Sequence, residues 1–260
     1  MTDTNAEINQ PAMVQKEYLY EITNAIENHP RSQQTRIGPS EIGTPCTRRL
    51  LHKLNGDKEP ERRGIPWLPT IGTAFHTWAA DVFTNATANH YPGERPRYLV
   101  ETKVNVGEIN GIDVTGSSDL FDTETGTVVD HKLIGKTPMQ DYRRKGMRRE
   151  YKVQAHLYGR GFQRAGYEVN WVMIACLPRN EISLDTNYFW SEPYDEQVAI
   201  DALDRATKLS QLITAVGIDI AVTLYPPCED TRLCPWCVTP TTPKPPATTT
   251  AALIAAANER

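Results

Sequence analysis

The stretch from Tyr98 to Ile134 constrains the fold more than any other part of the chain. Tyr98, Val100, Thr102, Val104 and Val106 form the alternating series of a strand with one buried face. Asn110-Gly111 is the residue pair that a two-residue hairpin turn prefers, so a second strand is expected over Ile112 to Phe121. Glu124-Thr125-Gly126 turns the chain again, and Thr127 to Ile134 reads as a third strand. Such a meander needs other elements to cover its apolar face.

The flanking sequence supplies them. Val14, Tyr18, Ile22 and Ile26 mark a helix from Val14 to Asn28, which Pro30 ends. Pro39-Ser40 opens a second helix, with Ser40 as N-cap and Ile42, Leu50, Leu51 and Leu54 as its buried positions. A loop over Asn55 to Pro69 leads to a third helix, Thr70 to Thr84. Beyond the meander come a long helix from Met139 to Ala165, broken near Gly146, a short strand from Trp171 to Cys176, and a helix from Tyr194 to Val216. This order predicts an α/β core, a mixed central sheet flanked by helices, with an N-terminal helical extension. The expected division is a disordered 1–13, a helical part over 14–95, a core with a cysteine-bearing end over 96–237, and a disordered Pro/Thr/Ala tail over 238–260, in which Ala251 to Ala257 can form a transient helix.

Composition narrows the function classes. No apolar run is long enough to span a bilayer, and the first residues lack the basic-then-apolar order of a secretory signal, so a cytoplasmic location is expected. A net charge of -4 argues against a protein that coats nucleic acid indiscriminately, while leaving room for a local basic groove. Arg143, Arg144, Lys145, Arg148, Arg149 and Lys152 crowd one segment, interrupted only by Asp141 and Glu150. They read either as a solvated helix face or as a track for a phosphate backbone, with Tyr142 and Tyr151 available to stack on bases.

The chemistry sits in the meander. Asp130 and Lys132 are two apart and share a strand face, and the turn at 122–126 brings the strand carrying Asp119 back beside them. Two carboxylates can hold Mg²⁺ or Mn²⁺, and an adjacent ammonium can orient a nucleophile or stabilise developing charge. Val128, Val129, Leu133 and Ile134 bracket these charges with apolar residues, and buried charges require partners or a metal. Gln154 and Tyr158 are one helical turn apart and can both hydrogen-bond to phosphate. Cys228, Cys234 and Cys237 cluster as metal-binding thiols do, and Cys46 is the best fourth ligand; Cys176 reads as a buried thiol. Gly135-Lys136-Thr137 has no glycine in the place a phosphate-binding loop needs, so no ATPase engine is visible.

These residues resemble, in order, the motifs of the PD-(D/E)XK nuclease superfamily, in particular its RecB-type branch, the CRISPR-associated iron–sulfur exonucleases and their phage-encoded relatives. Gly72 to His76 resembles the helical G-x-x-x-H. Gly116 to Asp119 resembles G-x-x-D, Asp130 to Lys132 the (D/E)-x-K element, and Gln154 to Tyr158 the Q-x-x-x-Y. The likeness spans Gly38 to Cys237. It implies a restriction-endonuclease-like core and a metal-dependent DNA exonuclease of recombination, repair or phage replication, in the host cytoplasm if phage-encoded. It further implies a metal held by Asp119 and Asp130 with His76 and the His131 carbonyl, Lys132 acting on the water, and Gln154 and Tyr158 positioning DNA. Cys46, Cys228, Cys234 and Cys237 would hold a [4Fe–4S] cluster, with zinc as the alternative. The expected partners are single-stranded DNA or DNA ends, together with a recombination or replication protein. A binding module of the same fold with weak turnover is the rival reading. The sequence departs from the pattern in carrying Asp130 where many relatives have Glu, and in cysteine spacings of five then two residues, the reverse of the order in some of these nucleases.

Overall fold

The computed structural model describes residues 10–29, 36–60, 65–90, 96–229 and 234–237. The meander forms as the alternation requires, with β1 (Tyr98–Ile109), β2 (Ile112–Asp122) and β3 (Thr127–Ile134) as antiparallel neighbours. Asn110 (φ 50) and Gly111 (φ 74) adopt the left-handed conformations of a tight hairpin turn. β4 (Trp171–Pro178) lies parallel to β3, and β5 (Tyr188–Pro193) antiparallel to β4. Among the described residues this gives one mixed sheet in the order β1-β2-β3-β4-β5, flanked by helices as expected. The parallel β3–β4 pair needs a crossover, which α5 (Lys136–Lys145) and α6 (Arg149–Arg164) provide. They are separate helices because Gly146, at φ 86, leaves the helical region.

One face of the sheet carries the main core. Phe121, Val128 and Val172 meet Leu157 and Phe162 of α6, with Ala199, Ala202, Leu203 and Ala206 of α7 (Glu196–Val216) closing the layer. His156, fully buried, pins α6 to the corner between β5 and α7: its Nε2 lies 2.9 Å from Glu192 Oε1, and its Nδ1 accepts the Asp195 amide at 3.2 Å. α6 comes so close to β1 that a Cβ on Gly161 would lie 2.5 Å from Val104 Cγ2. Gly161→Ala is therefore expected to cost about 2–3 kcal/mol through overpacking, read as a lower urea midpoint with an unchanged m-value.

The other face is covered by α4 (Trp67–His90), where Phe83 packs on Tyr98 and His131. α4 starts at Trp67, inside the expected loop, and no helix among the described residues is long and apolar enough to cross a membrane.

The termini differ most from expectation. α1 (Gln10–Glu27) begins at Gln10, so residues 10–13 are helical rather than disordered. Residues 1–9, Pro30 and the tail at 238–260 with its Ala251 to Ala257 segment lie outside the described residues. The single helix expected after Pro39 is two, α2 (Pro39–Ile42) and α3 (Thr47–Leu54). Gly38, not Ser40, is the N-cap of α2. The chain breaks at Gly43, which packs so tightly on α6 that a Cβ would lie 2.8 Å from Val153 Cβ. Cys46 then caps α3, its Sγ accepting the Arg49 amide at 3.4 Å. Leu50 and Leu51 pack against Leu209 of α7 and Ala221 of α8 (Ile218–Thr223).

Candidate functional site

β2 and β3 are paired from Asp122↔Thr127 to Leu120↔Val129, and there the ladder ends. The next residues, Asp119 and Asp130, stand at the fork. The His131 N–H donates to Asp119 Oδ2 at 2.7 Å, so a carboxylate bridges the two strands where backbone pairing stops. Asp119 Oδ1 lies 3.2 Å from Nδ1 of His76, which reaches in from α4. Burial raises the Asp119 pKa, but the contact with His76 and the nearby charges outweigh it and hold the carboxyl below its usual value. Contact with Asp119 in turn raises the His76 pKa against the opposing effect of burial.

A third group at the fork escaped the sequence reading. Glu101 lies on β1 between the pairs Val100↔Leu120 and Thr102↔Ser118, directly across from Asp119. Its φ of 43 is rare for a residue with a side chain, and such outliers gather at functional sites. One donor atom each from His76, Glu101 and Asp119 lies within 4.8 Å of the others. One imidazole and two carboxylates form a donor set for Mg²⁺ or Mn²⁺. The buried His76 Nδ1 faces Asp119 Oδ1 at 3.2 Å but outside strict hydrogen-bond geometry, an arrangement in which both groups can turn to a shared cation.

Asp130 stands behind this group and is 1% exposed. Its Oδ1 accepts from Gln154 Nε2 at 2.7 Å, and its Oδ2 lies 2.5 Å from Lys132 Nζ. Lys132 also donates to Gln154 Oε1 at 3.3 Å and sits 5.0 Å over the Tyr151 ring. Burial opposes charge on Lys132, but Asp130 and Asp119 outweigh it and raise its pKa, so it remains an ammonium. Burial drives the Asp130 carboxyl up to about 6, with Lys132 pulling the other way. An acid with a raised folded pKa stabilises the fold fully below its unfolded value, near 4, and loses that contribution as pH rises through about 6. Metal-free protein is therefore expected to lose stability over that window. Mn²⁺ affinity should rise across it with release of a proton, a change that calorimetry in buffers of different ionisation enthalpy detects.

The other expected residues fall in several places. Tyr158 is buried, with its hydroxyl against Gly116, where a Cβ would come within 3.2 Å of it. Gly116 thus leaves room for both Tyr158 and Pro39. The His131 imidazole points away from the fork and stacks on Phe83. The basic segment is not one continuous track. Arg143 donates to the Thr186 and Asn187 carbonyls and lies over Tyr188, while Lys152 pairs with Glu192 at 2.9 Å over Trp190, so both strap the edge strand β5. Arg148 pairs with Glu150. Arg144 and Lys145 share Asp141 but remain largely exposed, as does Arg149.

The four expected cysteines do come together. Cys46 Sγ lies 3.5 Å from Cys237 Sγ and 3.6 Å from Cys234 Sγ, and all four sulfurs, Cys228 included, lie within 4.8 Å of one another. Zinc–sulfur bonds of about 2.3 Å in a tetrahedron place sulfurs roughly 3.8 Å apart, so a single tetrahedral ion fits here. A [4Fe–4S] cube, with four irons between the thiolates, needs them spread more widely. Arg205 of α7 donates to the Thr44 and Pro45 carbonyls, and Arg48 to the Tyr225 carbonyl, which fastens both halves of the cysteine site to the helical layer. Cys176 is buried away from this group, and burial raises its pKa to about 11.

No family model and no curated protein matches the chain. Among solved structures it is similar to an alkaline exonuclease (LHK-Exo) from Laribacter hongkongensis, at 13% identity over 79% of this chain and 100% of that one, with a TM-score of 0.43. LHK-Exo in complex with dAMP matches over 74% and 95%, with a TM-score of 0.46. A phage related exonuclease from Haemophilus somnus 129PT matches at 11% identity over 58% and 74%, with a TM-score of 0.36.

Proposed function

We propose that this chain is a divalent-metal-dependent deoxyribonuclease acting as an exonuclease on single-stranded DNA or DNA ends, in recombination, repair or phage replication. The observation that carries the reading is the convergence, at one strand fork, of His76, Glu101 and Asp119 with the Asp130–Lys132–Gln154 group. A bound Mg²⁺ or Mn²⁺ would supply Lewis acidity and an activated water. His76, Glu101 and Asp119 would hold it, with Asp130 and the His131 carbonyl completing the set. Asp119, fixed by the His131 amide, keeps its charge without reorganising. The Lys132 ammonium, steadied by Gln154 and Asp130, orients the attacking water and offsets the charge that develops on the scissile phosphate. Gln154 acts through Asp130 and Lys132, whose positions it fixes. Tyr158, buried against Gly116, supports the helix that carries Gln154 in place of the DNA contact the sequence resemblance implies, while Arg144, Lys145 and Arg149 attract the DNA backbone from the surface.

The four-cysteine site is read as structural zinc, supported by its sulfur spacing, in place of the iron–sulfur cluster that the sequence resemblance implies. The expected partners remain DNA and a recombination or replication protein, and the expected location remains the cytoplasm.

The test is cleavage of 5′- and 3′-labelled single-stranded DNA with Mn²⁺. Stepwise shortening from one end is the expected outcome. Intact DNA after incubation with folded, zinc-loaded protein that binds Mn²⁺ would leave a nucleic-acid-binding module instead.

A further inference from the structure

A groove of about 780 Å³ runs between α4 and the faces of β3, β4 and β5 that α6 does not cover. Its walls are apolar and rich in rings: Phe75, Trp78 and Phe83 from α4, Tyr98 from β1, Trp171 from β4 and Phe189 from β5. Trp78, Trp171 and Phe189 are 60%, 45% and 52% exposed. Grouped exposed rings of this size mark a surface that something covers.

Two observations indicate what. The first is the lining itself, which includes no lysine or arginine. Its one carboxylate, Asp122, is held by Arg97 at 3.0 Å, and its one imidazole, His131, is stacked on Phe83. Such a groove suits a flat, neutral, π-faced ligand and not a phosphate. The second is continuity with the fork. Phe75 precedes His76 on α4, and the His131 ring lies 6.3 Å from the rings of both Phe75 and His76. The amide of that same His131 holds Asp119. The groove therefore opens about one side chain from the candidate metal ligands, within the reach of a base whose own phosphate lies on them.

We propose that this groove receives the unpaired nucleobases of a DNA strand whose backbone passes across His76, Glu101 and Asp119, the bases stacking on its rings while the phosphates stay outside. The site rests on the nuclease reading for the course of the backbone. Its consequence is a substrate preference: bases still paired in a duplex cannot enter, so single strands and frayed ends are selected.

Stacking on protein rings contributes about 1–3 kcal/mol per base, or roughly 5- to 150-fold in affinity. The probes are a labelled oligothymidine and an abasic oligonucleotide of equal length, titrated against the whole chain by fluorescence anisotropy with Ca²⁺ in place of Mn²⁺. The wild type is expected to bind oligothymidine at least about fivefold more tightly than the abasic strand. In Trp78→Ala and Phe189→Ala, which remove exposed rings and so leave the core alone, that ratio falls severalfold toward one. Equal affinity of the wild type for both strands, or an unchanged ratio in both variants, would overturn the proposal. So would light scattering that shows a wild-type oligomer falling to monomer in either variant, since the groove would then be an interface between copies. A chain that shows the ring-dependent preference but never cleaves with Mn²⁺ keeps the base site and loses the nuclease reading. Cleavage without base preference does the reverse.

Discussion

Asp119→Asn is expected to lower metal-dependent DNA cleavage by at least about a thousand-fold, the equivalent of roughly 4 kcal/mol of barrier. The substitution separates two functions of one side chain. Asparagine still offers an oxygen to the His131 amide, so the bridge across the strand fork survives. What disappears is the negative charge that faces His76 and, with Glu101, would attract the ion. The variant should therefore fold with a Tm near that of the wild type, bind Mn²⁺ far more weakly, and leave labelled DNA intact. Wild-type cleavage rates in a well-folded Asp119→Asn protein would remove the metal role from the fork. Glu101→Gln tests the residue that only the structure revealed, and should weaken Mn²⁺ binding in the same direction.

The second large effect belongs to the cysteines. Cys46→Ser, or removal of the ion by a strong chelator, is expected to cost about 4 kcal/mol, or roughly 8–16 °C in Tm for a domain of this size. The site joins the start of α3 to the segment after α8, and in its absence that segment keeps the stacking of Trp236 on His52, while Arg48 reaches the Tyr225 carbonyl and Leu50 and Leu51 hold α3 on α7 and α8. Elemental analysis should return one zinc per chain, in colourless protein. A brown protein with iron and sulfide would reject the single-ion reading and restore the iron–sulfur cluster. A Tm indifferent to both chelator and Cys46→Ser would show that the site bears no structural load.

Most of the sheet could be read from sequence because its signals are local. Alternation marked β1, Asn110-Gly111 and Glu124-Thr125-Gly126 marked the turns that set off β2 and β3, and Gly146 marked the break between α5 and α6. That Asp119, Asp130, Lys132 and Gln154 lie close together could be anticipated for a related reason, since strand and helix periods decide which side chains share a face. What was missed depends on register or tertiary contact. β5 is a six-residue edge strand, Tyr-Phe-Trp-Ser-Glu-Pro, too short and mixed to stand out beside the polar loop before it. The split between α2 and α3 follows from Gly43 pressing on α6, a contact with no trace in the local pattern. Glu101 reads as an ordinary outward residue of a half-buried strand, and only its pairing opposite Asp119 brings it to the fork. The basic segment misled in the opposite direction: Arg143 and Lys152 are engaged by β5 and the loop before it, neighbours that a charge count cannot anticipate.

The cysteine site also sets an order of events in the cell. Cys46 and Cys237 are 191 positions apart, and the sulfurs that complete the site are all near the far end. A ribosome adding about 5–20 residues per second needs roughly 10–40 s to travel between them. For most of that interval Cys46 has none of its three partner thiols, and until α7 and α8 are made the helix it caps lacks the surfaces it packs on. An ion held by all four thiols could be captured only after Cys237 is made, so scarcity of such a metal during synthesis would leave the strand meander complete and the cysteine site open.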